Sequence, residues 1–73
     1  MIKYNLYKYT ATAESEPENL YKYAAKNGSA QLVWVYRDIL DALKALPNFE
    51  TKCQPTEDGR YQVVCYAVEE EEW

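Results

Sequence analysis

The sequence predicts a small α+β fold, a three-stranded, mainly antiparallel sheet with two helices packed on one of its faces. Three observations predict it. A chain of 73 residues suits one domain, segments near both ends alternate apolar and polar side chains as strands do, and two segments between them carry helix-capping residues. We therefore expect the order strand, helix, helix, strand, strand in one domain over residues 1–68, followed by an acidic C-terminal tail over residues 69–73.

The first strand is predicted over Ile2–Ala13, where side chains alternate between two faces. We expect one set of side chains to face the core and the other to face solvent or a partner. The predicted core set is Ile2, Tyr4, Leu6 and Lys8, and the predicted outer set is Lys3, Asn5, Tyr7 and Tyr9.

The first helix is predicted to begin at Ser15, which can cap a helix and has Glu18 three residues later as its capping-box partner. Pro17 suits the first turn because its missing N–H costs little there. We expect this helix to run to Asn27 and to end at Gly28 in the left-handed conformation.

A second helix is predicted over residues 30–46, because apolar side chains recur there at steps of three and four. Its polar face would carry Trp34 together with Asp38 and Asp41, leaving an exposed indole among charged groups. Residues 32–36 also have strong strand propensity. The alternative is therefore a short strand at this point, followed by a helix that Asp38 caps.

The last two strands are predicted over residues 49–54 and 61–68, joined by a loop that contains the turn pair Asp58-Gly59. Cys53 and Cys65 fall in these two strands and could lie on the same face. We expect two reduced thiols in the core, with a cross-strand disulfide as the alternative.

The charge of the chain is concentrated at its C-terminus. The chain has 12 acidic and 8 basic residues, no histidine and a formal charge of -4. Glu69–Glu72 account for the whole acidic excess. We expect this run to be a solvated tail; the alternative is that it docks on a basic partner with Trp73 as an anchor.

Composition argues against catalysis. Without histidine there is no Ser-His-Asp or Cys-His set, and the two glycines form no phosphate-binding loop. We expect no enzyme activity, no cofactor and no metal site. The longest apolar run, residues 32–36, is far too short to span a membrane. The N-terminal segment lacks the layout of a secretion signal, which predicts a cytoplasmic location.

The candidate partner-binding residues fall into three groups: a helix face, an outer sheet face and the acidic run. They are Trp34, Asp38 and Asp41; Tyr7, Tyr9 and Tyr66; and Glu69, Glu70, Glu71, Glu72 and Trp73. Aromatic side chains supply affinity at interfaces, and carboxylates set encounter rate and specificity. We therefore expect a small acidic protein-binding modulator or inhibitor that occludes a basic surface of a larger protein complex, such as one that handles nucleic acid.

Two other functions compete with this prediction. Trp34 and a sheet edge could close a structural homo-oligomer, so the chain would be a monomer or a homodimer. An outer sheet face of Lys3, Asn5, Tyr7, Tyr9, Lys52, Gln62 and Tyr66 could bind single-stranded nucleic acid, although the negative net charge disfavours this partner. No motif identifies a family. In size and composition the chain resembles the small, acidic, histidine-poor proteins that phages and other mobile elements encode.

Overall fold

The computed structural model describes residues 1–72 and forms a small α+β fold around a four-stranded antiparallel sheet. The order of strands across this sheet is β2-β1-β4-β3. The elements are β1 (Ile2–Ala13), α1 (Leu20–Asn27), β2 (Ser29–Tyr36), α2 (Ile39–Ala45), a 3₁₀ turn (Leu46–Asn48), β3 (Lys52–Pro55) and β4 (Tyr61–Glu72). The predicted class and the antiparallel sheet are confirmed. The predicted strand count of three is wrong, because the described chain contains a fourth strand.

The extra strand comes from the segment predicted as one long helix over residues 30–46. Residues 29–36 are extended and pair antiparallel with β1. The alternative prediction is correct: Asp38 caps α2, and its Oδ1 accepts a 2.8 Å hydrogen bond from the backbone N–H of Leu40. The strand propensity of the β-branched and aromatic residues 32–36 prevails over the helical pattern, because β1 is available to pair with them.

The first helix starts later than predicted. Asn19, not Ser15, is its N-cap, and the Asn19 Oδ1 accepts a 2.9 Å hydrogen bond from the backbone N–H of Lys22. Residues 15–18 therefore lie in the connection between β1 and α1. Asparagine is as good a capping residue type as serine, so residue type alone does not distinguish Asn19 from Ser15.

Helix α1 packs on one face of the sheet through small side chains. Its fully buried Ala24 belongs to a core cluster with Tyr9 and Ala11 of β1 and Val63 and Cys65 of β4. Because the alanine side chain is only a methyl group, it lets the backbone of the helix approach the backbone of the sheet closely. This cluster is the main core of the protein.

Gly28 ends α1, but not in the predicted left-handed conformation. Its φ is -101°, which any residue adopts. The requirement for glycine is spatial: a Cβ at this position would overlap the carbonyl oxygen of Thr10 and lie 2.7 Å from that of Ala24. Close approach of backbone to backbone is a common reason for glycine.

Helix α2 and the turn after it cross the opposite face of the sheet. The ring of Phe49, which follows the turn, packs at 4.9 Å from the ring of Tyr66 on that face. Leu6 points to the same face and is fully buried, as is Ala42 of α2, the helix that contacts β1 there. The prediction that both helices pack on one face is therefore wrong. Strand β2 lies between the two helices in the chain. The connection from β1 to β2 contains α1 and runs over one face of the sheet, and the connection from β2 to β3 contains α2 and runs over the other face.

Covering both faces changes which side chains of β1 are buried. Of the predicted core set only Leu6 is buried, while Ile2, Tyr4 and Lys8 are exposed or half-buried. In the predicted outer set, Tyr9 and Asn5 are buried, because α1 and the neighbouring strands cover that face. The strand itself has the predicted bounds.

Up to Glu72, the acidic run belongs to a strand and is not a separate tail. Residues 69–72 continue β4 beyond its predicted end and pair with Ile2–Asn5 of β1. The predicted boundary after residue 68 therefore falls inside a strand. Trp73 lies outside the described residues.

The last two strands form the predicted hairpin, with β3 shortened to Lys52–Pro55. Gly59 in the connecting turn has φ +83°, the left-handed region that favours glycine. Cys53 and Cys65 lie on the same face as free thiols, half-buried and buried respectively, as predicted.

Candidate functional site

Strand β2, strand β3 and the part of β4 beyond β3 have open edges, and the edges of β3 and β4 are protected. Strand β3 has four residues, of which Lys52 and Pro55 disfavour pairing with another chain. Strand β4 extends beyond β3 from Cys65 onward, and Glu69–Glu72 place four carboxylates along that stretch. Charges, proline and short length are the usual means by which a sheet edge avoids pairing with other chains.

The third edge, β2, has almost no such protection. Its eight residues include no charge and no proline. Leu32 is 50% exposed, Trp34 63% and Val35 40%. These side chains and Val33 line a shallow groove of about 350 Å³. A long apolar edge of this kind can take up a further strand.

A β-bulge explains why β2 is apolar on both faces. Leu6 and Tyr7 are consecutive in β1, but they pair with Trp34 and Leu32, so Val33 is an extra residue. Without the bulge Leu32 and Trp34 would share one face; with it they point to opposite faces. The bulge is the one protective device on this edge, and apolar residues flank it on both sides.

Helix α2 extends the apolar area next to β2. Ile39, Leu40 and Leu43 lie on one side of α2, are 45%, 61% and 51% exposed, and belong to a helix that contacts β2. We call the exposed set the β2–α2 apolar surface: Leu32, Trp34, Val35, Ile39, Leu40 and Leu43. Leu32 and Val35 point to the α1 face and Trp34 to the α2 face, so these side chains flank the β2 edge on both sides of the sheet and do not form one continuous patch.

Acidic groups border one end of this surface. Asp38 and Asp41 lie on the first turn of α2, directly after β2. Across the sheet, Tyr36 at the end of β2 pairs with Tyr4, which in turn pairs with Glu70. Two strand spacings of roughly 4.8 Å therefore separate Glu70 from β2. The apolar surface thus has carboxylates beside its C-terminal end, together with the exposed Arg37 between β2 and α2.

The predicted tyrosine platform does not form. Tyr7 and Tyr9 lie on the α1 face, with ring centroids 6.2 Å apart, whereas Tyr66 lies on the α2 face against Phe49. Lys52 and Gln62 share the face of Tyr66 and line a shallow cavity of about 290 Å³ with it. Within residues 1–72, therefore, the two sets of aromatic rings do not form a single stacking surface.

Tyr9 is a structural residue rather than a surface residue. Its ring packs edge-on against Tyr21 at 6.0 Å, and its hydroxyl donates a 2.8 Å hydrogen bond to Oε1 of Glu69. Burial, and secondarily the hydrogen bond to Glu69 and its negative charge, raise the pKa of Tyr9 well above its usual range. The phenol is therefore kept neutral and donates to the carboxylate.

The odd-numbered glutamates of β4 are exposed but make contacts within the chain. Glu71 accepts a 2.5 Å hydrogen bond from Nδ2 of the buried Asn5 and lies 3.8 Å from Nζ of Lys3. The Oδ1 of Asn5 has no hydrogen-bond partner among the described residues. Glu69 and Glu71 face α1, so only Glu70 and Glu72 point to the other face.

The predicted partner-binding residues therefore do not assemble into one site. Trp34, Asp38 and Asp41 lie together around the end of β2, though on a strand and a short helix rather than one helix face. The helical pattern placed Ile39 and Leu43 on the apolar face of one long helix and Leu40 beside it, but all three are exposed. The signal that could have found the surface is the eight-residue run without charge or proline, read as a strand.

Within residues 1–72 no group of three or more metal-ligating side chains is close enough to hold a metal ion. None of the helices there has the length and apolar character to span a membrane. Fold and site together define a small antiparallel α+β protein with one unprotected apolar sheet edge. Comparison with protein-family models, curated proteins and solved structures finds no match to this chain.

Proposed function

We propose that this protein is a non-enzymatic, cytoplasmic binding module that docks on a larger protein through the β2–α2 apolar surface. The observation that carries the proposal is the contrast between edges: charge or proline protects β3 and the end of β4, while β2 is left open and apolar. Several exposed apolar side chains around an unpaired strand edge are typical of an interaction site.

The chemistry of the partner follows from the groups around the surface. Trp34 and Leu40, the most exposed members, are suited to fill apolar pockets, and a large aromatic is a frequent anchor of binding energy. Asp38 and Asp41 beside them favour a partner with basic groups around its apolar site. Binding would occlude that basic surface, which is how the protein would act as a modulator or inhibitor.

Site-specific photo-crosslinking in the native cell tests this proposal. A photoreactive phenylalanine analogue replaces Trp34 in one variant and Gln54, on the protected edge strand β3, in a matched control. We expect a discrete adduct with one other protein from position 34 and none from position 54. That protein, once purified, should bind the Leu40→Lys variant at least about tenfold more weakly, because a charge enters the apolar contact.

Two outcomes count against the proposal. Position 34 could yield no adduct with another protein, or positions 34 and 54 could yield the same adducts. Equal affinity of the wild type and Leu40→Lys for the purified partner would also contradict docking through this surface.

A further inference from the structure

We propose that the Asn27-Gly28 pair is a modification site, at which Asn27 deamidates spontaneously once the last turn of α1 opens. In the folded chain this turn protects the pair. The inference goes beyond the proposed docking function and is independent of it, because it concerns the junction between α1 and β2 and requires no partner protein.

The chemistry requires only these two residues and water. The backbone nitrogen of Gly28 loses its proton and forms a bond to Cγ of Asn27, while the C–N bond of the carboxamide breaks and ammonia leaves. Water then opens the cyclic imide at either of its two carbonyl carbons, which gives aspartate or isoaspartate at position 27. Glycine after asparagine favours this attack, because the absence of a Cβ leaves the nitrogen unhindered and the backbone free to turn.

The packing of α1 on β1 explains why glycine follows asparagine here. A Cβ at position 28 would overlap the carbonyl oxygen of Thr10 and lie 2.7 Å from that of Ala24. The preceding Asn27 is exposed at the end of α1, and asparagine is one of the chemically labile residue types. The close approach of helix and strand therefore places a labile pair at a solvent-accessible position.

Two hydrogen bonds hold the pair out of the reactive geometry. The backbone N–H of Gly28 donates to the carbonyl oxygen of Ala24 at 2.8 Å, so the attacking nitrogen is engaged in the helix. Nδ2 of Asn27 donates to the carbonyl oxygen of Tyr23 at 3.2 Å, which turns the carboxamide back along α1 and away from Gly28. Both bonds belong to the last turn of α1, and both must break before the nitrogen reaches Cγ.

The product cannot restore this turn. An aspartate at position 27 has no donor for the carbonyl oxygen of Tyr23, and it brings a negative charge to the C-terminal end of α1, which is the negative end of the helix dipole. An isoaspartate lengthens the backbone directly before Gly28, whose contact with Thr10 leaves no space for displacement. Because ammonia is lost, the modification permanently marks a chain in which this end of α1 has opened.

Deamidation of the full chain in native buffer and in guanidinium chloride tests the inference. Both samples are held at the same mildly alkaline pH, and mass spectrometry of timed digests gives the rate at each asparagine. We expect Asn27 to react at least about tenfold more slowly in the folded chain, because the last turn of α1 must open first. Asn19, which is also exposed but precedes leucine, is the matched control and should stay intact in both samples.

Ala25→Gly tests the role of the helix without changing the reacting pair. Ala25 is exposed in the last turn of α1, and glycine at this position weakens the helix. In native buffer the variant should deamidate at Asn27 about two- to fivefold faster than the wild type, whereas in guanidinium chloride the two rates should be equal. Circular dichroism verifies that the variant is folded in native buffer.

Three results would overturn the inference. Asn27 could react at equal rates in the folded and the unfolded chain, or it could react no faster than Asn19 in the unfolded chain. A folded variant Ala25→Gly with the same rate as the wild type would show that the end of α1 does not control the reaction. None of these results affects the docking proposal, which is tested by crosslinking from position 34.

Discussion

Trp34 lies directly opposite Leu6 across the β1–β2 pair, yet Leu6 is fully buried and Trp34 is 63% exposed. The two side chains point to the same face of the sheet and are one strand apart. The area of this face that α2 and its following turn cover therefore includes Leu6 of β1 but does not reach Trp34 of β2. The large indole lies just outside the covered area, which supports the proposal that this edge docks on a partner.

Replacing Gly28 with alanine should destabilise the fold strongly. The new Cβ would overlap the carbonyl oxygen of Thr10, and neither backbone can move without disturbing α1 or β1. We expect a loss of about 2–4 kcal/mol in the free energy of unfolding, measured by urea denaturation. Gly59→Ala is the control: its site is open but has φ +83°, so it should lose only about 1 kcal/mol. Equal losses would contradict the close approach at Gly28.

Removing the hydroxyl of Tyr9 should remove the contact that ties β1 to Glu69. We expect Tyr9→Phe to lose about 1–2 kcal/mol, because the hydrogen bond goes to a charged acceptor. Tyr61→Phe is the matched control, since the Tyr61 hydroxyl makes no hydrogen bond within residues 1–72; it should change stability by less than about 0.5 kcal/mol.

The same residue predicts a pH dependence. Because the pKa of Tyr9 is raised in the folded state, the unfolded chain releases this proton first as the pH rises above its ordinary value of about 10. The free energy of unfolding of the wild type should therefore fall above about pH 10, by up to about 1.4 kcal/mol per pH unit from this group. Below that pH its contribution is fully present. Tyr9→Phe should lack this component, and parallel curves for the two proteins would contradict the assignment.

The two thiols should differ sharply in reactivity. Cys65 is fully buried, and burial raises the pKa of its thiol, whereas Cys53 is only half-buried. We expect a small thiol reagent to modify Cys53 at least about 100-fold faster than Cys65 in the folded protein, because modification of Cys65 requires opening of the core. Mass spectrometry of timed digests gives both rates. Similar rates would place Cys65 outside the core.

Charge on β4 should be needed to keep that edge unpaired. Glu70→Val with Glu72→Val creates an apolar stretch beside Ile2 and Tyr4, their neighbours on the same face. Light scattering should show aggregation at a lower protein concentration than for the wild type. Glu16→Val with Glu18→Val changes charge and hydropathy equally in the exposed β1–α1 connection and is the control. The same aggregation threshold in both double variants would show that only net charge matters.

Sequence patterns predicted the strands better than the helices. The bounds of β1, the hairpin turn at Gly59 and the shared face of Cys53 and Cys65 follow from alternation and turn chemistry over short distances. The N-cap of α1 was misplaced because two neighbouring segments both offer capping residues. Local patterns of this kind cannot distinguish between two adequate caps.

The misassigned helix shows what a single sequence leaves open. Residues 32–46 carry apolar side chains at helical steps, and the same letters suit a strand followed by a helix. The choice depends on whether β1 offers an unpaired edge, which is a property of the whole fold. The helical steps group Leu32, Val35, Ile39 and Leu43 on one apolar face, although each is at least 40% exposed in the structure. Only the exposure of Trp34 was predicted, on the wrong element.

Residue-resolved hydrogen exchange, with and without the protein that crosslinks to position 34, decides whether Ser29–Tyr36 is an open edge strand on which a partner docks. Without the partner we expect two classes of amide in this segment, slow where the N–H bonds to β1 and fast where it points outward. With the partner bound, the fast amides of β2 should become protected. Helical protection that is continuous through residues 30–46, or added protection that avoids β2, would show that this segment is not the docking edge.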